Sequence, residues 1–154
     1  MVAYVFSKRL FDRYMSEHGI TDGNIPEGMA VVSIGEPSES ESDHWFQEPS
    51  CSVLNIDFWD VNGYRVEDVL GMTDEQAFEI YRFLSGNIGK DFYIHCRAGV
   101  SRSQAVARFL EDCYGYEVVQ GSDRPPFPNA HVLALLKREY AKDAFGDGIQ
   151  FSRC

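Results

Sequence analysis

The sequence predicts an α/β protein with a central, mostly parallel sheet of about four to five strands flanked by helices. Short apolar runs at 2–6, 29–34, 52–56 and 91–95 are typical of strands that are buried on both faces. Segments with apolar residues at helical spacing lie between or after these runs, so strands alternate with helices. Ligands of such sheets bind beyond the carboxyl ends of the strands, and a functional site is therefore expected in the loops that follow these runs.

The four predicted helices have recognisable start or stop signals. Ser7 is placed to cap the first helix, and either Thr73 or Asp74 is placed to cap the second. The third ends at Gly115, and the fourth covers about residues 130–142. Their apolar faces are formed, in order, by Leu10, Phe11, Tyr14 and Met15; Ala77, Ile80, Tyr81, Leu84 and Ile88; Ala105, Val106, Phe109, Leu110 and Cys113; Val132, Leu133, Leu136 and Tyr140.

The length and charge of the chain restrict its organisation and its partners. A chain of 154 residues is long enough for one buried core and too short for two ordinary domains, so residues 1–154 are predicted to form a single domain. The net charge of −10 argues against binding to nucleic acid or to an anionic membrane. No apolar run is long enough to cross a bilayer, and the N-terminal segment lacks the pattern of a signal peptide. The sequence does not determine the oligomeric state, for which a monomer is the simplest expectation.

The cysteines and histidines favour a cytoplasmic protein without a metal. The cysteines are widely spaced and form no CxxC pair, as is common in a reducing compartment. The histidines lack metal-binding spacing, so neither a metal nor another cofactor is expected. The acidic, serine-rich segment over 35–44 is predicted to be a solvated loop, with a position facing a substrate as the alternative. The residues concerned are Cys51, Cys96, Cys113 and Cys154, and His18, His44, His95 and His131.

One segment, His95-Cys96-Arg97-Ala98-Gly99-Val100-Ser101-Arg102-Ser103, carries the groups of an anion-binding loop. It follows a predicted strand and precedes a predicted helix, where backbone N–H groups and the helix dipole favour a bound anion. A thiol in such a position can have its pKa lowered to about 3.5–7.5, which would make Cys96 a thiolate nucleophile. Arg102 can donate two parallel hydrogen bonds to an oxyanion, and Gly99 permits a positive φ. His95 can hold the loop from behind, and the Ser103 hydroxyl can donate to the thiolate.

This segment resembles the HCxxGxxR[ST] signature of the cysteine-dependent protein tyrosine phosphatase superfamily, and it is most similar to the compact dual-specificity branch. The resemblance implies a phosphatase-like α/β fold and metal-independent hydrolysis of phosphomonoesters through a phosphocysteine intermediate. It implies that Cys96 is the nucleophile, that Arg102 binds the phosphoryl oxygens and that Ser103 assists breakdown of the intermediate. It also implies that the loop amides line the phosphate. Those amides belong to Arg97, Ala98, Gly99, Val100, Ser101 and Arg102.

The same reaction needs a carboxylic acid that protonates the leaving oxygen. The segment over 54–60 is similar to the strand-then-acid pattern of the superfamily, and the resemblance implies that Asp60 is this acid. Asp57 is the alternative, because the family's spacing between acid and cysteine is usually a few residues shorter than that between Asp60 and Cys96. Asp68 lies nearer to the cysteine in sequence but within a predicted helical turn.

The loop residues also indicate the class of substrate. Ala98, Val100 and Ser101 are uncharged, and Arg97 is the only additional cation between the cysteine and Arg102. A phosphorylated protein or peptide therefore fits better than a polyanionic lipid or an RNA triphosphate end. The tyrosine-bearing and glutamine-containing loops of the phosphotyrosine-only enzymes are not found, so the choice between phosphotyrosine and phosphoserine or phosphothreonine stays open.

Other interpretations of the cysteine loop are a phosphate-binding module and a sulfur-transfer or arsenate-reducing enzyme. A module would recognise phosphorylated proteins without turnover, although such proteins commonly lose the nucleophile or the acid. Sulfur-transfer and arsenate-reducing families usually place the cysteine near the N-terminus or lack the residues that flank it here. Cys113 is predicted to pack in the core, with a protective disulfide to Cys96 as the alternative.

Overall fold

The computed structural model describes residues 1–38, 43–48, 50–121 and 124–146. The architecture is α/β, with a five-stranded, all-parallel sheet that is flanked by four helices, as the sequence predicts. The sheet has the order β3-β2-β6-β1-β7, and two further short strands form a separate antiparallel hairpin. The strands are β1 (Val2–Ser7), β2 (Met29–Gly35), β3 (Val53–Asp57), β4 (Arg65–Val66), β5 (Val69–Leu70), β6 (Asp91–Cys96) and β7 (Glu117–Gln120). The helices are α1 (Lys8–Glu17), α2 (Asp74–Gly86), α3 (Arg102–Tyr114) and α4 (Ala130–Phe145).

Side-chain caps begin three of the four helices in the described residues. The Ser7 hydroxyl accepts a hydrogen bond from the Leu10 N–H at the start of α1. Thr73, rather than Asp74, caps α2 through a capping box with Gln76. The Asn129 side chain caps α4 by accepting from the Val132 N–H. The predicted helix starts are therefore explained by local side-chain hydrogen bonds.

The sheet separates two apolar cores. One core lies between the sheet and helices α2, α3 and α4, and it contains buried residues from β1, β2, β3 and β6. The other core lies beneath α1, where Phe11 and Met15 meet Phe46 of the segment over 43–48. Because both faces are covered, the carboxyl edge of the sheet is the place where the strand ends remain accessible to a ligand. None of the helices in the described ranges is long and apolar enough to span a bilayer.

Two elements were not predicted from the sequence, and one expectation about them is wrong. The hairpin of β4 and β5 holds Asp68 in its turn, whereas a helical turn was expected there. The hairpin lies between Asp60 and Cys96 in the chain. Strand β7 pairs with β1 at the edge of the sheet. It contains only two apolar residues between its polar ends, Glu117 and Gln120, so it has no apolar run that would indicate a strand.

Candidate anion-binding site at the loop between β6 and α3

The loop that joins β6 to α3 has carbonyl groups turned toward the surrounding scaffold. The Arg97 carbonyl accepts a hydrogen bond from the Lys8 N–H at 3.2 Å, at the start of α1. The Gly99 carbonyl accepts one from the side-chain amide of Gln104, with an Nε2–O distance of 2.9 Å. Gln104 is itself 3% exposed, so this part of the loop is held by a buried group.

The second half of the loop is held by the segment that precedes α4. The Val100 carbonyl accepts from the Phe127 N–H at 2.8 Å, and the Ser101 carbonyl accepts from the Asn129 N–H at 3.1 Å. Because the C=O and the N–H of a trans peptide point in opposite directions, each outward carbonyl turns the next N–H to the other side of the loop. The four N–H groups turned in this way belong to Ala98, Val100, Ser101 and Arg102.

The start of α3 is open to an anion. Ser101 occupies the N-cap position, yet its side chain makes no capping hydrogen bond to the helix. The first N–H groups of α3 therefore retain their capacity to donate to a ligand, and the helix dipole adds partial positive charge at the same place.

Gly99 allows the loop to lie directly on the end of β1. Its φ is +71°, and a Cβ atom there would lie 2.6 Å from the Ser7 nitrogen and 2.7 Å from the Phe6 carbonyl carbon. Both the backbone conformation and the close approach require glycine. The expectation of a positive φ at this position is confirmed.

Cys96 and Ser103 meet at the base of the loop. Cys96 is the last residue of β6, it is 2% exposed, and it is a free thiol. Its Sγ lies 3.0 Å from the Oγ of Ser103, which is fully buried in the first turn of α3. The hydroxyl is thus placed to donate to the sulfur when the sulfur is negatively charged.

Arg102 is buried beside this thiol-bearing loop, and only part of its guanidinium has partners. Its Nη1 donates to the Phe58 carbonyl at 2.6 Å and to the Gly35 carbonyl at 3.2 Å. Its Nη2 lies 3.5 Å from Oε1 of Glu36, which balances the charge. Its Nε is buried and has no hydrogen-bond partner in the described residues. Since Nε and Nη2 share one edge of the planar group, that edge can still receive two oxygens of an anion.

Asp60 lies at the rim of the loop. Its Oδ1 accepts from the Ser101 hydroxyl at 2.8 Å and from the Asn129 side-chain amide at 2.8 Å. Asn129 also donates to the Val61 carbonyl and caps α4, so it joins the segment after β3 to the loop and to the last helix. Both of these hydrogen bonds are to Oδ1, and Asp60 is an exposed residue.

The alternative acid, Asp57, makes different contacts. Its Oδ1 lies 2.7 Å from Nε2 of His44, and His44 in turn contacts the buried hydroxyl of Ser33 at 2.6 Å. His44 is 8% exposed, so the expectation that it belongs to a solvated loop is wrong. The buried hydroxyl of Ser33, the partly exposed carboxylate of Asp57 and the neighbouring Phe46 draw this residue inward, while residues 39–42 of that predicted loop lie outside the described ranges.

His95 lies behind the loop, as expected, and it is held in the neutral state. It is 1% exposed, its Nε2 lies 2.6 Å from the Ser33 hydroxyl, and its Nδ1 lies 3.4 Å from the Cys96 carbonyl oxygen. Burial lowers the pKa of His95 to about 3, and the nearby charge of Lys8 acts in the same direction.

The remaining cysteines lie away from this chemistry. Cys96 and Cys113 are both free thiols, and no disulfide joins them. Cys113 lies ten residues, roughly 15 Å, beyond Ser103 along α3, and it is Ser103 that contacts Cys96. Burial raises the pKa of the Cys113 thiol, which agrees with its packing against the core. Cys51, for which the sequence suggested no role, is disulfide-bonded, and Cys154 lies outside the described residues.

Comparisons of the chain with protein-family models, with curated proteins and with solved structures returned no significant match. Any function must therefore be argued from the site itself. Among the described residues, no group of three or more His, Cys, Asp or Glu side chains is arranged to hold a metal ion.

Four residues of this region were not identified from the sequence: Ser33, Glu36, His44 and Asn129 in these roles. Two of them carried a signal that could have been used. Ser33 is a polar residue inside an apolar strand, and Glu36 directly follows the end of that strand. His44 and Asn129 lie in irregular segments, where nothing local indicates burial.

Proposed function

We propose that this protein is a metal-independent phosphomonoester hydrolase that acts on phosphorylated proteins or peptides through a phosphocysteine intermediate. The observation that carries this proposal is the buried, unpaired Nε of Arg102 beside an Nη1 that two carbonyls hold in place. A buried donor without a partner costs about 1–3 kcal/mol, so the site favours a ligand that supplies an acceptor. Two phosphoryl oxygens on the Nε and Nη2 edge would supply it in bidentate geometry.

In the first step the thiolate of Cys96 attacks phosphorus and forms an S–P bond. The bond between phosphorus and the leaving oxygen breaks, and that oxygen takes a proton from the carboxylic acid of Asp60. Charge on the three other phosphoryl oxygens is stabilised by Arg102 and by the inward N–H groups of the loop. These donors are already oriented, so little reorganisation is needed during the reaction.

In the second step a water molecule attacks the phosphocysteine. The carboxylate of Asp60 takes a proton from the water, the S–P bond breaks, and inorganic phosphate leaves. The electron pair of that bond returns to Cys96 as a thiolate. The Ser103 hydroxyl, 3.0 Å from the sulfur, donates a hydrogen bond that makes the sulfur a better leaving group.

The charge distribution supports a singly phosphorylated side chain as the substrate. The net charge of −10 disfavours highly anionic ligands, and the loop between β6 and α3 offers two arginines, Arg97 and Arg102, to a single phosphoryl group. The proposal includes the cytoplasm as the location, because Cys96 must remain a free thiol. The disulfide at Cys51 counts against the reducing compartment that the cysteine spacing suggested, since disulfides are rare there.

The test is hydrolysis of p-nitrophenyl phosphate and of phosphotyrosine, phosphoserine and phosphothreonine peptides in the presence of a metal chelator. We expect turnover by the unchanged protein and none by Cys96→Ser, which should still bind phosphopeptide. Cys113→Ser is the matched control, because it removes a free thiol on the far part of α3 and should retain activity. Acid quenching during turnover should trap one phosphoryl group on the peptide that contains Cys96.

Two results would contradict the proposal. Binding of phosphopeptides without turnover by the unchanged protein would identify a phosphate-binding module. Turnover by Cys96→Ser would exclude the covalent route. The panel of three phosphopeptides also determines the preferred phosphoamino acid, which the site geometry leaves open.

A further inference from the structure

We propose that Ser33, His44 and Asp57 are positioning residues that determine which ring nitrogen of His95 carries its proton. They form a buried relay that reaches from the end of β3 to the residue before the candidate nucleophile. The consequence for turnover rests on the proposed function, whereas the relay itself does not.

The relay follows from the register of the sheet. Ser33 of β2 pairs with His95 of β6, so these side chains are neighbours on the same face. The three contacts are Asp57 Oδ1 to His44 Nε2 at 2.7 Å, His44 Nδ1 to Ser33 Oγ at 2.6 Å, and Ser33 Oγ to His95 Nε2 at 2.6 Å. Gly35 permits this arrangement, because a Cβ atom there would lie 2.5 Å from Asp57 Oδ1.

A single hydroxyl proton restricts how these contacts can be made. Ser33 can donate to only one of its two imidazole neighbours and must accept from the other. When His44 is neutral, its Nε2–H donates to the Asp57 carboxylate and its bare Nδ1 accepts from Ser33. The serine oxygen then accepts from His95, which must carry its proton on Nε2.

One added proton at His44 or Asp57 reverses both hydrogen bonds of Ser33. When His44 is an imidazolium beside the Asp57 carboxylate, or when Asp57 is protonated, His44 Nδ1–H can donate to the Ser33 oxygen. The serine hydroxyl then donates to His95 Nε2, and the proton of His95 must reside on Nδ1. That proton points toward the Cys96 carbonyl oxygen, 3.4 Å away, where the other tautomer has no donor.

The added proton is expected to remain at the Asp57 end. That end borders a cavity of about 250 Å³ lined by His44, Asp57 and their neighbours, and the Asp57 side chain is 39% exposed. Ser33 and His95 are almost completely buried. His95 also faces positive charge from Lys8 of α1 and Arg102 of α3, and these cations pair with Asp12 and Glu36 respectively.

Gln76, which also contacts Asp57, is uncharged. The side-chain amide of Gln76, in α2, donates to the Asp57 backbone carbonyl and leaves the carboxylate to His44. The relay therefore transmits a charge change at its exposed end as a change of tautomer at its buried end. In the proposed hydrolase, the tautomer with a proton on Nδ1 would add a hydrogen bond to the residue that attacks phosphorus.

The experiment is nitrogen-15 NMR of the full chain labelled at histidine, recorded from alkaline to acidic pH without substrate. The protonated and bare nitrogens of a neutral imidazole give separate signals. We expect His95 to remain neutral while its proton moves from Nε2 to Nδ1 on acidification. A single tautomer at every pH in the unchanged protein would overturn the proposal.

Asp57→Asn tests the relay at its exposed end and keeps the shape of the side chain. It removes the negative charge that balances an imidazolium, so we expect His95 to keep its proton on Nε2 across the pH range. Asp68→Asn is the matched control, because this aspartate lies in the exposed hairpin and should leave the exchange unchanged. An exchange in Asp57→Asn identical to that in the unchanged protein would contradict the relay.

Ser33→Ala breaks the relay at its centre. The nitrogen-15 signals of His95 should then no longer respond to protonation of His44. In the hydrolysis assay, we expect a loss in kcat of about two- to tenfold with KM unchanged, the range of one hydrogen bond. If this variant does not fold, Asp57→Asn still decides the matter. Absence of hydrolysis with the tautomer exchange intact would refute only the proposed function, whereas hydrolysis without the exchange would refute only the relay.

Discussion

The two sides of the candidate site differ in how their groups are assembled. On the side of β6 and α3, the thiol of Cys96 and the donors of Arg102 and Ser103 come from one continuous segment. On the side of β2 and β3, Glu36 and Asp60 come from separate strand ends or the loop after them. The continuous segment carries the reactive groups, while the strand ends hold these groups in place and supply the candidate acid. A local motif can thus supply the functional groups, whereas the orientation of those side chains depends on contacts with residues that are distant in sequence.

The largest effect is expected from a substitution on the β2 and β3 side, at the candidate acid Asp60. Asp60→Asn should slow hydrolysis of a phosphate ester with a poor leaving group by about 10²–10⁴-fold, because no proton reaches the leaving oxygen. Hydrolysis of p-nitrophenyl phosphate, whose leaving group needs little assistance, should slow much less. The measurement is kcat for both esters, with Asp68→Asn as the control at an exposed aspartate. The same selective loss in Asp57→Asn, but not in Asp60→Asn, would assign the acid to Asp57.

The next largest effect is expected in the continuous segment, from a substitution of the buried Arg102. Arg102→Lys retains the charge but cannot bond the Phe58 and Gly35 carbonyls and present a planar edge at the same time. We expect kcat/KM to fall by about 10²–10³-fold, as on removal of one oriented donor to a transition state. Arg108→Lys, on the exposed face of the same helix, should change little. Near-normal kcat/KM in Arg102→Lys would exclude bidentate binding as the basis of the site.

A third prediction separates the loop's backbone conformation from its contact with β1. Gly99 and Gly115 have nearly the same φ, +71° and +72°, but only Gly99 has neighbours within 4 Å of a hypothetical Cβ. Gly115→Ala should cost about 1–2 kcal/mol through the left-handed conformation alone. Gly99→Ala should cost about 3 kcal/mol or more, because overpacking adds to that strain. Urea unfolding of both variants measures the difference, and equal losses would show that the loop can move away from Ser7.

The sequence predicted the side of the site that depends on short-range order. The spacing from His95 to Ser103 lies within one strand, loop and helix start, so its residues adopt their relative positions wherever the surrounding fold permits. The parallel sheet was predictable for a similar reason, because its strands are continuous apolar runs. Strand β7 was missed, since its four residues are polar at both ends.

The β2 and β3 side could be predicted only in part. Asp60 and Asp57 were identified as alternatives, and only the folded chain separates them: one contacts Ser101, the other His44. The burial of His44 depends on the register of β2 with β3 and β6, which no local pattern specifies. A polar residue in an apolar strand, such as Ser33, indicates a buried hydrogen-bond partner but does not identify it.

The smallest effect concerns the buried end of the relay, and it appears in stability rather than activity. Burial lowers the pKa of His95 to about 3, whereas an unfolded histidine has a pKa of about 6.5. Below pH 6.5 the unfolded state therefore binds a proton that the folded state does not. Because of His95, the free energy of unfolding falls by about 1.4 kcal/mol per pH unit as the pH drops from 6.5 toward 3. By pH 5 this amounts to about 2 kcal/mol.

Urea unfolding between pH 7 and pH 5, above the range in which most carboxylates titrate, measures the slope. His95→Gln should remove this contribution and His18→Gln, at an exposed histidine, should keep it. The same pH slope of stability in both variants would show that a group other than His95 causes the acid sensitivity.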